Sequence, residues 1–212
     1  MKKSSIIILL IILASFVIAI YLYPRMPDEM ASHWNFKGEV DDYLPKFWGL
    51  FLMPIISLGL FLLFLLIPKI DPLKANIEKF RKYFDGFIVL IMVFLFYIYL
   101  LSIAWNLGKR FDMGRMMVPA LGILFYYCGI LIENAKRNWF IGIRTPWTLS
   151  NEKVWERTHK IGGKLFKIAG LIALLGILFP NYVFYFILVP ALLFTFYTII
   201  YSYFDYQKET KR

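Results

Sequence analysis

KLFKIAGLIALLGILF, Lys164 to Phe179, decides how many times this chain crosses a bilayer. Its strictly uncharged part, Ile168–Phe179, falls short of the roughly 20 apolar residues that a helix needs to span the hydrocarbon core. The stretch becomes a span, roughly Leu165–Phe179, if Lys164 and Lys167 lay their methylene stems along the hydrocarbon and carry their ammonium groups to the interface. Five other runs need no such help: Ile6–Tyr23, Phe47–Ile67, Gly86–Trp105, Met116–Ile132 and Tyr182–Phe204.

Apolar residues make up 60% of the 212 positions, more than the roughly half expected of a soluble domain. A soluble fold of this size would leave much of that surface in water, and a bilayer removes the conflict. Helices are the expected element, because backbone groups in lipid must be satisfied within each segment. The reading is an all-α integral membrane protein with six transmembrane helices, residues 1–212 forming a single polytopic membrane domain. Residues 1–67 carry the first two spans around a loop at 24–46, and residues 84–212 carry the last four around a segment at 133–164. Lys2 and Lys3 ahead of the first run resemble the start of a signal peptide. The run exceeds a usual signal core and no A-x-A-like site follows, so it is expected to remain as the first helix.

With six spans, 18 of the 24 Lys and Arg residues fall on the side shared by the N-terminus, the second and fourth loops and the C-terminus. The other six are Arg25, Lys37, Lys46, Lys109, Arg110 and Arg115. This bias predicts cytoplasmic termini, a multi-pass protein of the cell membrane, an external loop at 24–46 and a cytoplasmic segment at 133–164. It also accounts for the pI near 9.6 without direct nucleic-acid binding. The single cysteine, Cys128, excludes an intrachain disulfide and a cysteine-based metal site. No uncharged span holds Asp, Glu, Lys, Arg or His, which argues against an ion-coupled pump. Pro54, Pro119 and Pro190 are expected to kink their helices. Gly122 with Gly129, and Gly170 with Gly176, are expected to mark close helix approaches.

The external loop, YPRMPDEMASHWNFKGEVDDYLPK, is broken from the first helix by Pro24 and Pro27. Met30, Trp34 and Phe36 alternate with polar residues and Lys37-Gly38 supplies a turn, a pattern of extended chain. Trp34, Phe47 and Trp48 are placed at headgroup depth. Five carboxylates against three basic residues make the loop locally acidic, which suits a cationic ligand. His33, Asn35, Asp41 and Asp42 lack metal-ligand spacing, and no metal site is read there.

In the segment from Asn138, Trp139 and Phe140 follow Lys136-Arg137 at a basic–aromatic boundary. Gly142, Arg144, Thr145 and Pro146 read as an irregular turn. Ser150 or Asn151 caps a new helix with Glu152 in its first turn. Val154, Trp155, Thr158, Ile161, Gly162 and Leu165 share one face, and Lys153, Glu156, Arg157, Lys160 and Lys164 the other. Glu156 and Lys160 are spaced to pair. The expectation is one cytoplasmic amphipathic helix at the interface before the fifth span, bent into it at Gly162-Gly163. Arg144, with Trp147 or Trp155 to stack on, is the candidate contact for a partner or a lipid headgroup. His159 reads as a surface histidine.

The run Arg144, Thr145, Pro146, Trp147, Thr148 and Leu149, followed by Trp155, resembles the signature of the SdpI family of bacterial membrane proteins. Pro27, His33, Trp34, Asn35, Gly38 and Asp41 resemble the N-terminal module, of unknown function, that accompanies it. The resemblance implies immunity to a secreted membrane-active peptide toxin, met on the external face. It further implies capture of a small transcriptional repressor on the cytoplasmic face, and so a role in signal transduction. His33, Trp34, Asn35, Gly38 and Asp41 are then the external candidate site; Gly142, Arg144, Thr145, Pro146, Trp147, Thr148 and Trp155 are the cytoplasmic one. An alternative is a lipid- or small-solute-binding or transporting protein using a groove between kinked helices and Arg144 as headgroup contact. A membrane enzyme is the remaining class. It finds no paired His, no H-E-x-x-H and no G-x-S-x-G, and neither catalytic residue nor cofactor is expected.

Overall fold

A computed structural model describes residues 3–35 and 37–211. Phe36 of the loop pattern and Lys2 of the N-terminal flank lie outside the described residues. The chain runs through α1 (Lys3–Leu22), β1 (Glu29–Trp34), β2 (Val40–Pro45), α2 (Lys46–Ile70), α3 (Lys74–Lys79), α4 (Arg81–Asn106), α5 (Met113–Asn134), α6 (Pro146–Ser150), α7 (Glu152–Leu175) and α8 (Val183–Thr210). Helices α1, α2, α4, α5, α7 and α8 are long and apolar enough to cross a membrane. Their outer faces carry what lipid would cover: Leu10, Leu13 and Ile20 on α1, and Leu193, Phe196 and Ile200 on α8, are all exposed. A patch of that size has no stable place in water.

The up-and-down path gives the bundle two ends. One carries the β1–β2 hairpin, the 107–112 turn and the α7–α8 connection. The other carries α3, the segment from Ala135 to Asn151 and the C-terminal turns of α8. Each end has its own core. Ile8, Phe61, Phe84, Leu131 and Trp155 belong to the cluster nearer the Arg144 end; Ala19, Met30, Leu50, Tyr99 and Ile103 pack beneath the hairpin.

The loop between α1 and α2 forms an antiparallel hairpin, in which Glu29 faces Pro45 and Trp34 faces Val40. At its tip, Asn35 Oδ1 accepts the Lys37 and Glu39 backbone N–H groups at 2.9 and 3.1 Å. Gly38 supplies the positive φ of 80° that the turn requires. The hairpin is fastened to α4 through Asn106. Its Oδ1 accepts the Ala31 N–H at 2.8 Å and its Nδ2 donates to the Ala31 carbonyl at 3.0 Å. One amide side chain thus takes the place of a strand partner.

The fifth span and the charged stretch before it form one element. Helix α7 is a single unbroken element through Gly162-Gly163, and its charged first half is part of it. Gly163 serves close packing. A Cβ on Gly163 would lie 2.7 Å from the Gly129 carbonyl oxygen, and one on Gly170 would lie 2.6 Å from that of Gly122. Two glycine pairs therefore let α5 and α7 approach to backbone contact. Gly176 takes no such part, since its Cβ would meet Phe186 at an ordinary 3.4 Å. Lys167 does not reach for the interface alone: its Nζ donates to Glu133 Oε2 of α5 at 2.6 Å.

Candidate functional sites at the two ends of the bundle

At the Arg144 end the chain leaves α5 and folds around Asn138, which is fully buried. Its Oδ1 accepts the Phe140 and Ile141 N–H groups, and its Nδ2 donates to the Lys136 and Ile141 carbonyls at 2.8 Å. A second buried polar residue, Asp71 after α2, accepts the Leu73 N–H with one oxygen and the Trp139 N–H with the other, at 2.6 and 2.9 Å. Asn76 of α3 donates to the Arg137 carbonyl. The irregular turn is thus pinned by amides and a carboxylate that satisfy its backbone, as a buried loop requires.

Pro146 occupies the first turn of α6 and Thr145 caps it reciprocally with Thr148. Thr148 Oγ1 also donates to the Ile143 carbonyl at 2.8 Å, and Thr145 Oγ1 lies 3.0 Å from Ser202 Oγ on α8. Trp147 meets Tyr203 edge-on, with ring centroids 5.1 Å apart. The Thr-Pro-Trp-Thr run therefore fastens the segment to α8. Asn151, not Ser150, caps α7, its Oδ1 accepting from Lys153 and Val154.

Beneath the segment, Trp155 of the candidate site meets a histidine that the sequence places on the surface. Trp155 is fully buried and its Nε1 donates to the Ala135 carbonyl at 2.8 Å. His159 stacks on it with centroids 3.8 Å apart and is 1% exposed, so it is no surface histidine. Its Nε2 accepts the Ile143 N–H at 3.0 Å, which leaves Nδ1 to donate to the Trp155 carbonyl at 2.8 Å. Both ring nitrogens are engaged by one neutral tautomer. The i, i+4 spacing of Trp155 and His159 on the apolar face was the available signal.

Arg144 is exposed and stacks on neither tryptophan. Its Nη1 donates to the Trp139 carbonyl at 2.7 Å. Glu156 pairs with Lys136 across the end of the bundle at 3.1 Å. Arg144, Thr145, Pro146 and Trp147 line a cleft of about 560 Å³ with Gly142, Cys128, Leu131, Thr195 and Thr198.

The hairpin end holds a second cleft, of about 750 Å³, between the hairpin tip, the start of α5 and the start of α8. His33, Trp34, Asn35, Gly38 and Asp41, all singled out from the sequence, line it together with Asp112 and Asn181. His33 Nδ1 and Asp41 Oδ1 are 2.5 Å apart. Trp34 packs edge-on against Trp105, over which the Arg110 guanidinium lies at 3.6 Å. The Trp34 Nε1 is buried and, among the described residues, has no hydrogen-bond partner. At the base of the hairpin the Lys46 ammonium, 2.8 Å away, holds the Asp28 carboxyl below the usual carboxylate range. Among the described residues, no group of three or more His, Cys, Asp or Glu is placed to hold a metal ion.

Six membrane-length helices with a cleft at each end of the bundle define a multi-pass membrane protein. Residues 134–202 match the SdpI/YfhL protein family, and residues 10–58 match a domain of unknown function, DUF1648. The chain is similar to the SdpI/YfhL family over about a third of its length. It is 26% identical over 207 residues to the immunity protein SdpI of Bacillus subtilis (strain 168), an alignment that covers 97% of each chain. No solved structure matches the chain.

Proposed function

We propose that this chain is a membrane immunity protein that protects the cell making it from a secreted, membrane-active peptide. The observation that carries this reading is the likeness to an immunity protein along 97% of both chains, through the hairpin as well as the Arg-Thr-Pro-Trp segment. In this reading the hairpin faces the cell exterior and the cleft beside it receives the peptide. His33, Asp41 and Asp112 give that cleft acidic and hydrogen-bonding character, and Trp34 adds an aromatic wall with an unused donor. A cationic or amide-rich segment fits those groups. The protein works by binding and not by catalysis.

The Arg144 end faces the cytoplasm in this reading, and its exposed Trp139, Phe140 and Arg144 form the surface on which a small transcriptional repressor is held. Expression of the chain in a bacterium sensitive to peptide toxins of this kind tests the first half. Survival is expected to rise with the unaltered chain and to fall back with Asp41→Ala and Trp34→Ala at equal membrane levels. No protection by the unaltered chain against any such peptide overturns the reading. For the second half, a repressor retained in membranes by the unaltered chain is expected to be released by Trp139→Ala.

A further inference from the structure

We propose that the cleft at the Arg144 end holds one acyl chain of an anionic phospholipid, with the phosphate at the Arg144 guanidinium. Such a site does not depend on the immunity reading. The wall of the cleft is hydrocarbon: Phe87 of α4, Leu131 and Ile132 of α5, Phe166 of α7 and Ile199 of α8. The two α8 hydroxyls that border it are turned onto their own helix, Thr195 to the Ala191 carbonyl at 2.7 Å and Thr198 to the Thr195 carbonyl at 2.9 Å. What remains facing the cleft is apolar.

The depth of the cleft suits a lipid. Ser202 of α8 meets Thr145, at the level of the segment, while Thr195 lies two turns deeper in the span. That separation is about 10 Å of helix, well into one leaflet of a hydrocarbon core roughly 30 Å thick. A wall at that depth is reached from the bilayer and not from water. At the mouth stands a cation. Arg144 uses one N–H on the Trp139 carbonyl and, among the described residues, has no carboxylate partner. Its remaining donors suit a phosphate, which a planar guanidinium grips through two oxygens. An apolar trough ending in such a group complements an amphiphile with a negative head.

The test is native mass spectrometry of the full chain in mild detergent, titrated with phosphatidylglycerol and with diacylglycerol, which lacks the phosphate, of the same acyl chains. Phosphatidylglycerol is expected to be held about tenfold more tightly, the gain of one charge-assisted contact. Arg144→Gln is expected to bring the two lipids level, and Arg144→Lys to restore part of the preference. Cys128→Phe, which fills the cleft and leaves Arg144 in place, is expected to release both lipids. Ile199→Trp supplies a second block should Cys128→Phe lose its helical circular dichroism. Equal retention of the two lipids by the unaltered chain, or full retention with the cleft filled, overturns the proposal. So does displacement by free glycerol phosphate at matched concentration, which would mark a headgroup site with no acyl chain.

Discussion

Gly142 and His159 meet so closely that no side chain fits between them: a Cβ on Gly142 would collide with the imidazole Nε2. Gly142 also has a φ of 118°, in the region that glycine alone enters freely. The contact is what lets Nε2 take the Ile143 N–H and set the direction in which Arg144 leaves the bundle. Gly142→Ala therefore meets both strain and collision, and a loss of at least ~2 kcal/mol is expected. Gly108 is the control, with a φ of 95° and nothing within 4 Å of where a methyl would stand. Gly108→Ala is expected to cost about half as much, read as thermal melting of the two variants in the same detergent.

His159 is expected to act through its acceptor. His159→Phe keeps the ring stacked on Trp155 but leaves the Ile143 N–H unpaired, at about 1–3 kcal/mol where it is buried. Hydrogen exchange at the Ile143 amide is the specific readout and is expected to quicken well beyond the change at the Leu50 amide. Unchanged exchange at Ile143 would show that the bond is not made.

The α5–α7 contact gives a prediction with an internal reference. Gly163→Ala places a methyl 2.6 Å from Glu133 Cβ and 2.7 Å from the Gly129 carbonyl, so the helices must part. A loss of about 1–3 kcal/mol is expected, the usual result of overpacking. Gly59 of α2 has nothing within 4 Å, and Gly59→Ala is expected to raise stability by up to ~1 kcal/mol through helix propensity. Unfolding in mixed micelles compares them directly.

Six spans and two special segments were legible in the sequence because hydrocarbon length and the Arg-Thr-Pro-Trp run are local signals. The fifth span was legible in place but not in extent. Its first half looks like a surface helix because Lys153, Glu156 and Arg157 are charged. The structure buries its other face against α5 and α8 and joins Arg157 to Asp205 and Glu209 at 2.9 and 2.8 Å. Asn138 and Asp71 carry no local signature, and His159 only its i, i+4 spacing from Trp155. Each acts by satisfying backbone groups of another segment, and long-range pairings of that kind are invisible to periodicity.

Asn106 is the remaining long-range fastening. Asn106→Ala leaves the N–H and carbonyl of Ala31, a residue 2% exposed, without their partner. A loss of about 2 kcal/mol is expected, localised to the hairpin. Faster exchange of the Ala31 amide should accompany it, together with weaker protection in the toxin challenge. Stable membrane levels with intact protection would show that the hairpin does not need this anchor.

The immunity reading requires the hairpin outside the cell and the Arg144 segment inside it. Thiol labelling in a Cys128→Ala background measures this directly, with Lys37→Cys at the hairpin tip and Ser150→Cys beside α6. A membrane-impermeant maleimide is expected to modify Lys37→Cys in intact cells and Ser150→Cys only after the membrane is opened. Modification of both in intact cells, or the reverse order, would contradict the account.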